Sequence, residues 1–187
     1  MKWLIRIAAL FAALLLVTVA ALAVLAQREG ANRLEASITI ARPPAAVWPY
    51  LYQEDKLKEW VSWLEEAKPS SEPAVGLRGM WVMRDANNGG NLTRIESQVK
   101  AAERGRLLSV ALSAEGFTGE GIFTLTPAGS DGQSTRLETR QTYEFNQWFV
   151  RLLTPVVLPA ASAKTGRDLQ RLKEAVEKQP PPVAASN

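Results

Sequence analysis

An uninterrupted apolar run near the start of the chain restricts its fold more than any other feature. From Ile7 to Ala26 there are twenty residues without a charge, and Thr18 is the only polar side chain among them. As an α-helix, this run is about 30 Å long, which matches the hydrocarbon core of a bilayer. A buried helix in the core of a soluble domain is disfavoured, because nothing on either face of the run is polar. The run therefore predicts a membrane-spanning segment.

Basic residues on one side of the run predict its orientation. Lys2 and Arg6 precede it, and positively charged flanks tend to stay in the cytoplasm. We expect residues 1–26 to form a single-pass anchor in the inner (cytoplasmic) membrane, with the rest of the chain on the periplasmic or extracellular side. The alternative is a signal segment, cleaved after a small residue such as Ala23 or Ala26, which would leave an exported soluble protein. The anchor is favoured because signal peptides have apolar regions of only about 7–15 residues.

Two residue types are missing from the chain. It has 187 residues, among them no cysteine and no histidine. Disulfides, zinc thiolates, iron–sulfur clusters, imidazole metal sites and Ser/His/Asp or Cys/His catalysis are thereby excluded. The sequence predicts no catalytic residue, no cofactor and no metal, and it leans against an enzyme. Any catalysis would fall to carboxylates, lysine, tyrosine or water.

The charge balance argues against a nucleic-acid partner. The chain has 22 basic and 19 acidic residues, and Lys2 and Arg6 belong to the membrane segment, which leaves 20 basic residues against 19 acidic ones. Basic and acidic side chains are interleaved along the whole remaining length. A protein that binds nucleic acid needs a basic patch or stripe, so we expect none to bind.

The remainder of the chain has the pattern of one α+β domain. Residues 27–33 form a polar tether. In residues 34–41, apolar side chains occupy every second position, which predicts a strand. Two short helices are predicted next, at 45–52, where Pro49 should end or kink the helix, and at 57–64. Period-two runs separated by turn residues then predict a six-stranded meander, followed by a long closing helix. The predicted strands are 66–70, 79–84, 92–102, 106–112, 119–126 and 134–145. The domain thus spans 34–178, and 179–187 is expected to be a disordered tail.

Four local patterns, in this order, resemble the SRPBCC superfamily, which includes START lipid-transfer and polyketide cyclase-like domains. They are the strand and proline-led helix Ile40–Trp48, the second helix at Leu57–Trp60, the strand and turn Gly121–Pro127, and the helix end Leu169–Lys173. The resemblance implies the helix-grip fold, in which a curved antiparallel sheet of about seven strands wraps around a long C-terminal helix. It also implies an apolar cavity between the sheet and the helix. It carries over no catalytic residues, since the superfamily shares none.

Alternation along the last strand selects candidate ligand-binding residues. Leu137, Gln141 and Tyr143 share one face, and in the implied fold this face lines the cavity. Polar groups in an apolar pocket need a partner, a water molecule or a ligand. The aromatic residues nearest the implied cavity complete the set, although all of these side chains could instead fill the core. The candidates are Trp60, Trp63, Trp81, Phe123, Leu137, Gln141 and Tyr143. By the predicted registers, no acidic side chain clearly points inward.

The start of the closing helix is more apolar than a surface helix needs. The segment 148–159 contains one charge, Arg151, and two prolines, which should interrupt regular helical hydrogen bonding. Packing in the core, a gate over the cavity, and a patch that dips into the nearby bilayer all remain open.

Three functions are compatible with these features. The first is a membrane-tethered domain that binds a lipid-like or other hydrophobic small molecule in its cavity. The second is a non-catalytic scaffold or interaction domain whose cavity is filled by its own tryptophans. The third is a cyclase- or dehydratase-like enzyme that uses a cavity carboxylate and Tyr143, because burial can raise the pKa of a carboxyl group toward neutral pH. The cavity volume and an inward carboxylate are the features that discriminate among them.

Overall fold

A computed structural model describes residues 2–85, 90–130 and 132–179. The predicted tail lies outside these residues except for Gln179. The N-terminal helix α1 spans Lys2–Ala26, which covers the whole apolar run. Its mean hydropathy is 2.8, and none of it is buried inside the structure. It is therefore long and apolar enough to cross a bilayer.

The segment between the first two strands contains two short helices and a 3₁₀ turn. Strand β1 is Arg33–Ile40, and α2 is Pro44–Val47 with proline in its first turn. The chain then tightens into a 3₁₀ turn at Trp48–Leu51, so Pro49 ends the α-helix early, as predicted. Helix α3 is Glu54–Trp60, one turn earlier than the predicted 57–64. Two acidic residues in its first turn suit the positive end of the helix dipole. Leu64, which the spacing assigned to the helix, is instead the first residue of the next strand and is buried there.

Seven strands form one antiparallel sheet, with β1 and β2 at its edges. Along the sheet, the order is β1-β7-β6-β5-β4-β3-β2. Every strand from β3 onward is hydrogen-bonded to the strand before it in the chain, and β7 also pairs with β1. The strands after β1 are β2 Leu64–Lys68, β3 Arg78–Asp85, β4 Asn91–Glu103, β5 Leu107–Ala114, β6 Phe117–Ala128 and β7 Ser134–Phe145.

The closing helix α4 runs from Trp148 to Lys178 without a break. Pro155 and Pro159 lie inside it, so the loss of regular hydrogen bonding predicted at these prolines does not end the helix. Each proline removes one N–H donor, and the remaining hydrogen bonds carry the helix past both. The structure is thus the predicted α+β helix-grip fold, a curved sheet against a long C-terminal helix, with an additional apolar helix at the N-terminus.

The core lies between the sheet and the C-terminal half of α4. Leu169, Leu172 and Val176 are each at most 2 % exposed. They pack with inward residues of the strands and with the 3₁₀ turn, among them Ile40, Trp48, Leu108, Leu125 and Leu137. Polar contacts fix this end of the helix to β1 and the turn after it: Lys173 donates to the Thr39 carbonyl at 3.0 Å, and Arg42 donates to the carbonyls of Glu177 and Gln179 at 3.0 and 2.7 Å.

Candidate ligand cavity

Strands β6 and β7 supply the part of the inner sheet face that carries polar groups. In β7, Leu137, Thr139, Gln141 and Tyr143 follow one another on this face, as the alternation predicts. Their partners in β6, in the same order, are Leu125, Phe123, Gly121 and Gly119. Leu137 is fully buried at 0 % exposure, whereas Phe123, Gln141 and Tyr143 are half-buried. The face therefore changes from closed core at one end to partly open surface at the other.

Glycines on β6 make room beside Gln141 and Tyr143. A Cβ on Gly119 would lie 2.6 Å from the Thr142 carbonyl oxygen and 3.3 Å from Cδ1 of Tyr143, so a side chain at this position would clash. A Cβ on Gly121 would meet only the Phe123 ring, at 3.8 Å, which is ordinary contact. Neither glycine is among the candidate residues predicted from the sequence. Two glycines at alternate positions of a strand are a signal for close approach by a neighbouring group.

Tyr143 is a neutral hydrogen-bond donor in an aromatic cluster. Its hydroxyl donates to Oε1 of Gln141 at 2.6 Å. Its ring lies edge-on to Phe117 with centroids 5.8 Å apart, and it stacks with Phe145 at 6.3 Å. Burial raises the pKa of Tyr143 above the ordinary value for tyrosine. At neutral pH the group can therefore donate a proton in a hydrogen bond but carries no charge.

The hydroxyl of Thr139 is buried without a partner among the described residues. Thr139 is 3 % exposed, and its Oγ1 forms no hydrogen bond within the part of the chain that the structure describes. Thr135, four residues earlier on the same face, instead donates to the Arg42 carbonyl at 2.7 Å. A buried hydroxyl with no partner is costly. The inner face thus offers one polar atom to a water molecule or to a ligand.

One acidic residue of α4 is largely covered by its neighbours. Asp168 is 6 % exposed, and it lies one turn before the buried Leu172 on the same stripe of the helix. The strand registers predicted no inward carboxylate, and they could not have found this one. In sequence, Asp168 follows Arg167 and precedes Leu169, a pattern equally typical of an exposed helix edge.

The predicted tryptophans occupy three different environments. Trp60 is 7 % exposed, and its indole N–H donates to the Tyr50 carbonyl at 2.8 Å, so it is part of the core. Trp63 is half-buried, and the ammonium of Lys164 on α4 lies 5.2 Å from its ring centroid, within cation–π range. Trp81 lies on the inner face of β3, opposite Ile95 and Ala67. The structure therefore groups Phe123, Leu137, Gln141 and Tyr143, and it places Trp60, Trp63 and Trp81 around α3 and β3.

The space beside Trp81 is small. A cavity of about 50 Å³ lies between α3 and the inner face of the sheet, whereas sites for drug-sized ligands occupy roughly 300–1,000 Å³. It is bounded by Leu51, Leu57, Trp81, Val99, Leu108 and Val110, among others. It can hold water but not a lipid. Space for a larger ligand has to come from the open end of the inner face, near Tyr143.

The largest concavity described lies on the opposite, outer face of the sheet. It is an open groove of about 980 Å³. Its lining includes the carboxylates of Glu96, Glu120 and Glu144 and the cations of Arg78 and Lys100. Glu120 accepts a hydrogen bond from Ser109 at 2.6 Å. Charged side chains at this density are unsuited to an apolar ligand.

Comparison with known proteins supports the same architecture. The profile of a family described as polyketide cyclase/dehydrase and lipid transport matches residues 31–177. A search of the curated proteins found no match. A structure from Rhodobacter sphaeroides aligns with a TM-score of 0.63 at 19 % identity, covering 80 % of this chain and 94 % of that one. One from Chromobacterium violaceum gives 0.63 at 14 % identity, with 79 % and 99 % covered. One from Thermus thermophilus gives 0.60 at 21 % identity, with 77 % and 96 % covered. Identities this low indicate a shared fold, not a shared activity.

Proposed function

Because the chain belongs to the polyketide cyclase/dehydrase and lipid transport family, we propose that it is a membrane-tethered domain that binds a hydrophobic small molecule or lipid. The ligand lies between the inner sheet face near Tyr143 and the N-terminal half of α4. α1 is the tether, in the inner membrane, and the domain is on the periplasmic or extracellular side.

The observation that carries this proposal is the incomplete closure of the core at one end. In the C-terminal half of α4, Asp168, Leu169, Leu172 and Val176 are buried, whereas Thr154 is the one buried residue described in the N-terminal half. The sheet opposite this half has partly exposed aromatic rings at Phe117, Phe123, Tyr143 and Phe145. Apolar surface left open inside a fold favours a ligand that completes the core.

Polar groups near this surface would orient the ligand. The unpartnered hydroxyl of Thr139 lies on the closed side of the open region, and Gln141 and Tyr143 lie beside it on the same face. A few polar groups in an apolar site fix the orientation of a bound molecule. We therefore expect an amphipathic ligand, with a hydroxyl, carbonyl or amine at the end that enters first.

Native mass spectrometry of the full chain, released from nanodiscs prepared with lipids of its own host, tests the proposal. We expect a stoichiometric adduct on the wild-type protein. Gly121→Leu fills the site from the inner face, since only the Phe123 ring lies within 4 Å of the new Cβ. This variant should lose the adduct or bind it at least tenfold more weakly, with an unchanged circular dichroism spectrum.

The control for this variant is on the same strand. Thr118→Leu points to the outer face and into the large groove, and it should leave the adduct unchanged. If Thr118→Leu removes the adduct and Gly121→Leu does not, the ligand lies in the outer groove and the proposed site is wrong. A wild-type protein that stays free of ligand in a host lipid extract would instead favour the scaffold whose cavity is filled by its own side chains.

Asp168 favours a second candidate, a cyclase- or dehydratase-like enzyme. A buried carboxylate can act as a general base, and a neutral tyrosine can donate a hydrogen bond to a carbonyl oxygen. Incubation of the full chain with a β-hydroxyacyl thioester, followed by the absorbance of the conjugated product, measures dehydration. Activity that is lost in Asp168→Asn and retained in the exposed-site variant Glu174→Gln would establish this function.

A further inference from the structure

The exposed surface of α4 changes from apolar to polar halfway along the helix. From Trp148 to Ala163 the only charged residue is Arg151. The large apolar side chains of this half are exposed to unusual degrees: Trp148 74 %, Phe149 48 %, Leu153 44 %, Val156 62 % and Val157 55 %. In the second half, the exposed side chains from residue 167 onward are all charged or amide groups, namely Arg167, Gln170, Arg171, Glu174 and Lys178.

The apolar exposed residues lie along one side of the helix. Phe149, Leu153, Val156 and Val157 follow the spacing of a single helical face, which is turned away from the sheet. A contiguous apolar patch of this kind on a protein surface marks contact with another protein or with a membrane. Trp148 at its end is of the residue type that is enriched where a bilayer meets water.

The N-terminal helix identifies which of these partners is present. α1 packs against α4, and its partly covered residues are confined to its last two turns, at Leu22, Ala23, Leu25 and Ala26. Tyr143, five residues before α4 begins, donates its backbone N–H at 3.0 Å to the carbonyl of Asn32, six residues after α1 ends. The start of α4 and the end of α1 therefore lie on the same side of the domain. The apolar surfaces of α1 and of the first half of α4 are therefore in position to contact the same bilayer.

We propose that the segment Trp148–Ala163 lies in the interfacial layer of the bilayer, so that the open end of the inner sheet face, near Tyr143, faces the membrane. This rests on the proposed tethering of the domain by α1. Arg151, the one charge of the segment, donates to the Phe145 carbonyl at 2.5 Å and so joins the segment to the end of β7. Phe145 and Tyr143 line the open region. A ligand would then enter from the lipid phase without crossing water.

Single-cysteine labelling tests this directly, since the natural chain has no cysteine. Val156→Cys and Arg171→Cys both replace exposed residues of α4, about 22 Å apart along the helix. Each full-length variant is labelled with an environment-sensitive NBD fluorophore and reconstituted into phosphatidylethanolamine/phosphatidylglycerol vesicles. We expect the label at Val156 to be blue-shifted, quenched at least twofold by doxyl lipids, and protected from iodide. The label at Arg171 should show the opposite pattern.

Two results would overturn the inference. Equal iodide quenching at both positions would mean that the apolar half of α4 is in water. Protection of the Val156 label from both quenchers would mean that protein, such as a second copy of the chain, covers this face. Leu153→Cys is a second label site on the same face and should behave like Val156→Cys. The measurement needs no ligand, so it separates membrane contact from the ability of the cavity to bind one.

Discussion

Thr135 and Thr139 are four residues apart on one face of β7, and their hydroxyls are in opposite hydrogen-bonding situations. Thr135 donates to a carbonyl, whereas Thr139 has no partner among the described residues. Thr139→Val should therefore raise the free energy of unfolding by about 1 kcal/mol, because it removes a buried hydroxyl that forms no bond. Thr135→Val should lower it by about 1–2 kcal/mol, because it leaves the Arg42 carbonyl unpaired. Urea unfolding of the full chain in nanodiscs measures both.

The sign of the Thr139 effect also reports on occupancy. In protein freed of ligand, Thr139→Val is expected to stabilise the fold. In protein that retains a ligand bonded to this hydroxyl, the same substitution should destabilise it and weaken the adduct. Destabilisation in the ligand-free protein would contradict the assignment of Thr139 as unpartnered.

The raised pKa of Tyr143 predicts that the folded protein loses stability in alkaline solution. Burial raises its pKa in the folded state, so the folded protein holds the phenolic proton more tightly than the unfolded chain. The stabilising contribution is complete below about pH 10, the ordinary pKa of tyrosine, and it is lost as the pH rises through the folded-state value. The free energy of unfolding should therefore fall less steeply between pH 9.5 and about 11 in Tyr143→Phe than in the wild type. Parallel curves for the two proteins would exclude this contribution.

At the level of single residues, the sequence predicted faces better than environments. Alternation in β7 gave the inward set correctly because a strand has a fixed period of two. It could not show that Trp60 bonds to the Tyr50 carbonyl, since that contact depends on how α3 packs on the 3₁₀ turn. The burial of Asp168 was not predicted, because burial of a helical carboxylate depends on the neighbouring elements and not on the pattern of its own helix.

Among the elements, α4 combines two helices of different character in one. Leu172→Ala in the second half removes a side chain at 0 % exposure, and such truncations cost about 2–5 kcal/mol. Leu153→Ala in the first half removes a side chain that is 44 % exposed, and it should cost less than about 1 kcal/mol. Chemical unfolding of both variants, followed by tryptophan fluorescence, measures the difference. Equal losses would mean that the first half is packed as firmly as the second.

Element boundaries were predictable where the chain has strong local signals. β7 matches its predicted range, and the proline-led α2 ends where Pro49 requires. The prediction failed at α3, where an apolar spacing of three and four continued from the helix into β2. In α4 the helix continues past Pro155 and Pro159, which helix propensity alone does not anticipate.

For the whole molecule, the proposed orientation predicts how the domain meets labelling reagents. Ser113→Cys lies on the exposed outer face of β5. In intact spheroplasts, a membrane-impermeant maleimide should label this position fully, and labelling should not increase after lysis. The mass of the mature protein should include the residues of α1. A mature N-terminus near Gln27 would support the cleaved signal segment instead.

The overall architecture could be predicted from the order of the elements along the sequence, but the size and position of the cavity could not. Strand, two short helices, meander and long helix can be recognised in sequence because each has its own periodicity. The volume between the sheet and α4 depends on the tilt of α4 and on which side chains fill the gap. Neither property depends on local sequence, so the cavity of about 50 Å³ and the partly exposed face near Tyr143 could be found only from the structure.

The short connection between α1 and β1 sets a limit on transport. Only residues 27–32 separate the two elements, and turns between Arg28 and Arg33 shorten them further, with Ala31 and Arg33 donating to the carbonyls of Arg28 and Gly30 at 3.0 Å. Even fully extended, six residues reach roughly 20 Å. If α1 is the membrane tether proposed above, so short a connection prevents the domain from carrying a ligand to a second membrane. The domain could then only take a ligand from the adjacent leaflet or transfer one to a partner at that leaflet.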